Sequence, residues 1–128
     1  MKNLLIVDGY NVLIGNYKEN IPFKNKRGKF LTDISSCKYY SNYEIIVVFD
    51  SKEQSFDYSE KYRQIEVIYS GYQKSADLII GNLINSKKGY DKIIVVSSDR
   101  LVQNTIFGSK NTVRKSSREF NEEIKSES

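Results

Sequence analysis

With 128 residues, 39% of them hydrophobic, the chain has the size of one domain with a single buried core. It contains no histidine and one cysteine, Cys37, which excludes a Cys/His zinc site, imidazole general-base catalysis and an internal disulfide. The formal charge of +4 is a mild bias toward an anionic partner and carries information only where basic residues cluster.

No apolar run reaches membrane-spanning length and the N-terminus lacks a charged-then-apolar signal pattern. The expectation is a cytoplasmic protein with no membrane partner. In chain order, the first predicted strand covers about residues 2–8 and ends in Leu4-Leu5-Ile6-Val7-Asp8. Gly9-Tyr10-Asn11 then reads as a sharp turn for which Gly9 supplies freedom. After a polar stretch over 15–26, the spacing of Phe30, Leu31, Ile34 and Cys37 predicts a helix over about 27–40, with Cys37 as an inert core thiol.

The second strand, about 44–50, is Ile45-Ile46-Val47-Val48-Phe49-Asp50. Residues 51–64 are polar and read as a loop with room for one helical turn. Residues 65–69 read as a shorter strand near the sheet edge. Ala76, Ile79, Ile80, Leu83 and Ile84 fall on one helical stripe, with Ser75 as its N-cap. A fourth strand covers about 91–97, a helix about 99–107, and an edge segment lies near Thr112-Val113. Ser116-Ser117-Arg118-Glu119 offers a capping box for a last helix bearing Phe120 and Ile124. Strands alternating with helices, without repeat or linker, predict one α/β domain over 1–128 with a mostly parallel sheet.

Three of these apolar runs end at an aspartate: Asp8, Asp50 and, after Ser97-Ser98, Asp99. Continuous β-branched runs suit strands buried on both faces of a parallel sheet, whose functional crevice lies beyond the carboxyl ends of its strands. Asp77, in the first turn of the amphipathic helix, comes to the same edge by right-handed crossover. Carboxylates gathered this way repel one another unless a cation shares them. Oxygen-only donors suit Mg2+ or Mn2+, and the substrate such chemistry serves best is a phosphodiester. Asn11 is placed to support a ligand water or phosphate, and one of Ser97 and Ser98, which precede Asp99, to bond a metal water or cap the helix that begins there.

The strings Val7-Asp8-Gly9-Tyr10-Asn11-Val12, Val47-Val48-Phe49-Asp50, Ser75-Ala76-Asp77 and Val95-Val96-Ser97-Ser98-Asp99-Arg100, followed by Ser117-x-x-Phe120-x-x-x-Ile124, resemble the YacP-like NYN family of PIN-fold nucleases. The resemblance covers nearly the whole chain. It implies a PIN-like three-layer α/β/α sandwich, a divalent metal and RNA cleavage. One branch of the family acts on mRNA at the ribosomal A site. Asp8, Asp77 and Asp99 match the family's metal cluster, with Asp50 close by and Asn11 catalytic or supporting.

The chain departs from the family in three places: Lys74 stands where an acid is usual, Leu78-Ile79-Ile80-Gly81 supplies no further helix acid, and the segment between the first strand and the first helix is shorter than usual. Basic charge is in local excess over 109–118 (Lys110, Arg114, Lys115, Arg118) and over 18–38, which includes Lys26 and Arg27. These residues are the expected phosphate contacts. Tyr10, Tyr17 and Tyr72 are placed to stack on unpaired bases, whereas Tyr39, Tyr40 and Tyr62 suit packing. The leading expectation is a metal-dependent endoribonuclease for single-stranded RNA. Behind it stands an RNA- or ribosome-binding module with a degraded metal site. A phosphatase or small-nucleotide hydrolase ranks third, since no Gly-rich phosphate loop is visible.

Overall fold

The computed structural model describes residues 2–14, 22–50, 58–71, 75–106 and 111–127. In chain order these form β1 (Asn3–Asp8), α1 (Gly9–Ile14), α2 (Phe23–Ser36), a 3₁₀ turn (Lys38–Tyr40), β2 (Tyr43–Asp50), β3 (Tyr58–Tyr62), β4 (Ile65–Ser70), α3 (Ala76–Ser86), β5 (Lys92–Val96), α4 (Arg100–Thr105), β6 (Thr112–Lys115) and α5 (Ser117–Glu127). One six-stranded sheet has the order β3-β4-β2-β1-β5-β6. Every neighbouring pair is parallel except β3 with β4. The unbroken apolar runs occupy the middle of this sheet, where both faces are covered.

Side chains alternate across a strand, and the alternation sorts the core into two layers. Leu5, Val7, Val47, Phe49, Ile94 and Val96 pack with Val12, Phe30, Ile34, Phe120 and Ile124 of α1, α2 and α5. Leu4, Ile6, Ile46, Val48, Ile93 and Val95 pack with Ile79, Ile80, Ile84 and Val102 of α3 and α4. The result is the three-layer α/β/α sandwich. Each fully buried Leu, Ile or Val contributes about 1.5–3 kcal/mol, so the strands that carry the acids are firmly anchored on both faces.

Four local expectations need correction. Residues 58–62, read as loop, form edge strand β3. Its Ser59, Glu60 and Lys61 are exposed, so the polar pattern is that of a solvated edge. A two-residue turn at Arg63 and Gln64 joins it to β4, with Arg63 at φ 54°, and β4 is therefore second from the edge. Gly9-Tyr10-Asn11 is the start of α1 rather than a turn. The helix read over 27–40 begins at Phe23, behind Pro22, and stops where Cys37 turns extended (φ −73°, ψ 115°). Ser75 precedes α3 in extended conformation, but its side chain makes no cap bond. Other expectations hold. Cys37 is a buried free thiol, and Ser116 exchanges bonds with Glu119 at both backbone and side chain, each 3.1 Å.

Candidate active site at the carboxyl edge of the sheet

Parallel pairing fixes where each strand-end acid stands. Asp8 pairs in register with Val48, so Asp50, the partner of Ser70, lies two residues farther along the same edge. Val7 pairs with Val96, which brings the Ser97-Ser98-Asp99 loop directly over the end of β1. By alternation Asp8 continues the row of Leu4 and Ile6, and Asp50 the row of Ile46 and Val48, toward α3 and α4. Half-buried Asp77 lies in the first turn of α3, the helix that covers that face.

Asp8 is 6% exposed. Burial pushes its carboxyl up from 3.8 to about 6, and the charges of Asp99 and Asp50 push in the same direction. Two donors pull against them. Ser97 Oγ donates to Asp8 Oδ2 at 2.9 Å, and the backbone N–H of Asn11 donates to the same carboxylate. Burial wins, because a charge removed from water loses more than two hydrogen bonds return. The other acids already have local duties. Asp99 caps α4 by accepting the Leu101 N–H at 2.9 Å, and its own N–H donates to Ser97 Oγ at 3.0 Å. Asp50 accepts from Ser70 Oγ at 3.4 Å. Among the described residues no three acidic side chains are drawn tightly enough to form a metal cage by themselves.

Asn11 ties three segments together. Its Oδ1 accepts the Ser98 N–H at 2.8 Å and, in a short contact, the Ser117 hydroxyl. The Ser117 N–H donates to Ser98 Oγ at 3.1 Å. Sequence reasoning named Ser97 for a metal water or a helix cap rather than for Asp8, and it missed Ser70. Ser97 and Ser70 are both fully buried and both directly follow an apolar strand run. A hydroxyl at the buried end of a strand, beside an acid on the neighbouring strand, was the available signal.

Gly9 serves close approach. A Cβ there would meet the Phe49 ring at 2.5 Å. Phe49 in turn carries Tyr10 edge-on at 5.6 Å and stacks on Tyr69 at 5.7 Å. Tyr69 receives a bond from Arg27 Nη1 at 2.6 Å and donates to Glu60 at 3.1 Å, so Arg27 lies over the far end of this aromatic row.

The basic residues separate into different environments. Lys115 turns inward: its Nζ is 2.6 Å from Glu123 and 3.0 Å from Tyr40 Oη, with only 15% of the side chain exposed. Arg114 is exposed on the other face of edge strand β6. Arg118 is exposed and pairs loosely with Glu122 at 3.5 Å. Lys26 is half-buried in α2 beside Arg27. Tyr40 is buried and Tyr62 half-buried, but Tyr39 is 54% exposed. Lys110, Lys74, Tyr17 and Tyr72 lie outside the described residues. A cavity of about 330 Å³ lined by Lys87, Lys88, Asn111 and Thr112 opens at the amino end of the sheet and has no acid in its wall. It is a separate feature from the acid cluster.

The fold has solved counterparts. The chain is similar to Rae1 (YacP) from Bacillus subtilis, at 29% identity and TM-score 0.76 over 98% of this chain and 76% of that one, in a mutant form. A second crystal structure of Rae1 (YacP) gives 28% identity and TM-score 0.74 over 96% and 74% of the two chains. A mutant of T5 5′-exonuclease, at 19% identity and TM-score 0.54 over 91% and 50%, shares the fold. Among curated proteins none matches. The model of the YacP-like NYN domain matches residues 5–128, and with that match over nearly its whole length the chain belongs to the YacP-like NYN domain family.

Proposed function

We propose that this chain is a divalent-metal-dependent endoribonuclease that cleaves single-stranded RNA, with mRNA on the ribosome as its setting. The single observation that carries the reading is Asp8. A carboxylate held buried against the charges of Asp99 and Asp50, with its carboxyl raised to about 6, is a costly arrangement that a cation relieves. Membership of a nuclease-like family and the fold shared with an exonuclease support the same chemistry.

The donor set fits a hard ion: Asp8, Asp50, Asp77 and Asp99 offer oxygen only, which suits Mg2+ or Mn2+ with retained waters completing the shell. Bound metal supplies a water of lowered pKa and neutralises charge on the phosphodiester. The chain's own residues hold the acids and the backbone in place. Ser97 fixes Asp8, Asp99 starts α4, and Gly9 lets α1 close onto Phe49. Arg114, Arg118, Lys110, Lys26 and Arg27 supply phosphate contacts, and Tyr10 a base platform. A buried free thiol suits the reducing cytoplasm, and no helix among the described residues is long and apolar enough to cross a membrane.

A second reading, an RNA- or ribosome-binding module without cleavage, is favoured by one observation. Asp99 and Asp50 already accept from Leu101 and Ser70, so the acids have structural partners. Incubation of purified protein with unstructured RNA in Mn2+, and again in chelator, separates the two. Cleavage in Mn2+ alone is the expected result. Binding without cleavage in either condition contradicts the nuclease reading and leaves the second.

A further inference from the structure

The half-buried side-chain amide of Asn11 is clamped through its oxygen. Oδ1 accepts the backbone N–H of Ser98 at 2.8 Å and the hydroxyl of Ser117 in a short contact. A backbone N–H only donates, so the atom facing Ser98 must be the oxygen, and the two ends of the amide are distinguished by their partners. The Ser117 hydroxyl must then donate as well. Among the described residues Asn11 Nδ2 meets no acceptor, while the backbone N–H of the same residue holds Asp8.

Ser117 is not needed where it stands to start its helix. Ser116 caps α5, accepting the Glu119 N–H at 3.1 Å. The Ser117 hydroxyl, 8% exposed at the residue level, instead reaches a residue 106 positions away in sequence. One turn later Asn121 Nδ2 donates to Val12 O at 3.2 Å, so α5 is pinned to α1 by an independent bond. The Ser117 bond thus adds orientation of one amide to a docking that is already secured.

We infer that Ser117 is a positioning residue for RNA. Together with Ser98 it fixes Asn11 Oδ1, leaving both Nδ2 protons as a preset donor pair for a phosphate oxygen bound beside Asp8. A neutral amide recognises phosphate without adding charge to the acid cluster, and fixing it beforehand removes the ordering cost from binding. The phosphate ligand rests on the nuclease reading, whereas the clamping of the amide does not.

The test has a spectroscopic arm and a kinetic arm. In 15N-labelled protein, Ser117→Ala is expected to shift and broaden the side-chain amide pair of Asn11 while leaving that of Asn121 in place. Ser117→Thr, which keeps the hydroxyl, is expected to leave both unchanged. Ser117→Cys, a weaker donor of similar size, gives the Asn11 response if the alanine variant does not fold. In cleavage of unstructured RNA with Mn2+, Ser117→Ala is expected to raise KM by about five- to tenfold, the loss of one hydrogen bond, with kcat changed less. In an Asn11→Ala background the same substitution should add nothing. If the Asn11 and Asn121 pairs move together, or neither moves, or if the losses of the two substitutions multiply, the inference is overturned. A wild type that cleaves no RNA defeats the nuclease reading, and the amide pairs then decide the role of Ser117 alone.

Discussion

Ser97 Oγ donates to the carboxylate of Asp8 at 2.9 Å, so the hydroxyl that ends one buried strand carries the acid that ends its neighbour. The same oxygen accepts the Asp99 N–H at 3.0 Å, which couples the position of Asp8 to the start of α4. This bond lowers the Asp8 carboxyl against burial, which raises it. Ser97→Ala therefore moves the Asp8 titration above about 6, the opposite of relief, and costs about 1–2 kcal/mol by leaving a buried acceptor short of a donor. Carboxyl NMR titration reads the first effect and denaturant unfolding the second.

The raised carboxyl of Asp8 also has a sign in stability. Its native value, about 6, exceeds the ordinary 3.8, so between these values the native state binds more protons than the unfolded chain. The contribution of Asp8 is then most favourable below about pH 4 and is lost as pH rises through 6. The shift is worth up to about 3 kcal/mol. Asp8→Asn removes the charge and keeps the volume. It should therefore be more stable than wild type at pH 7 by about 1–3 kcal/mol, with the difference vanishing toward pH 4. Unfolding curves of the two proteins across that range check it.

Gly9→Ala places a methyl 2.5 Å from the Phe49 ring, which sits between Tyr10 and Tyr69 and has little room to give. The substitution should cost about 1–3 kcal/mol as overpacking. Because the clash lies beneath the residue after Asp8, RNA cleavage should fall as well. Thermal unfolding and a cleavage assay on the same preparation measure both.

The strand-end acids were legible from sequence because a parallel strand buried on both faces is written as an unbroken apolar run, and its last residue names the edge. Asp8 and Asp50 needed nothing more. Strand β3 was hidden because Ser59, Glu60 and Lys61 face solvent and carry no apolar signal. Helix α1 was hidden because Gly9-Tyr10-Asn11 reads as a turn until Asp8 is seen to accept the Asn11 N–H. The bonds among Asn11, Ser98 and Ser117 join residues that only the pairing of β1 with β5 and of β5 with β6 brings together. Local pattern carries no trace of that pairing. Lys115 was counted with the phosphate contacts on charge alone, whereas its neighbours Glu123 and Tyr40 turn it inward.

That inward turn separates two kinds of lysine and arginine. Lys115→Met breaks an ion pair of 2.6 Å and should destabilise the fold by about 1–3 kcal/mol while leaving the salt dependence of RNA binding unchanged. Arg114→Gln with Arg118→Gln should do the reverse. Stability stays within about 0.5 kcal/mol, and the slope of log affinity against log salt flattens by about one unit for each phosphate no longer neutralised. Equal effects of both variants on the slope would return Lys115 to the RNA path.

Metal-dependent cleavage at this edge requires Asp8 to be the acid that a cation shares. Its most direct test is single-turnover cleavage of unstructured RNA by Asp8→Asn in saturating Mn2+, beside wild type and with the fold of each verified by unfolding. The expected result is a loss of at least about a hundredfold in rate in a variant as stable as wild type or more so. A folded Asp8→Asn that cleaves within about twofold of wild type would contradict it.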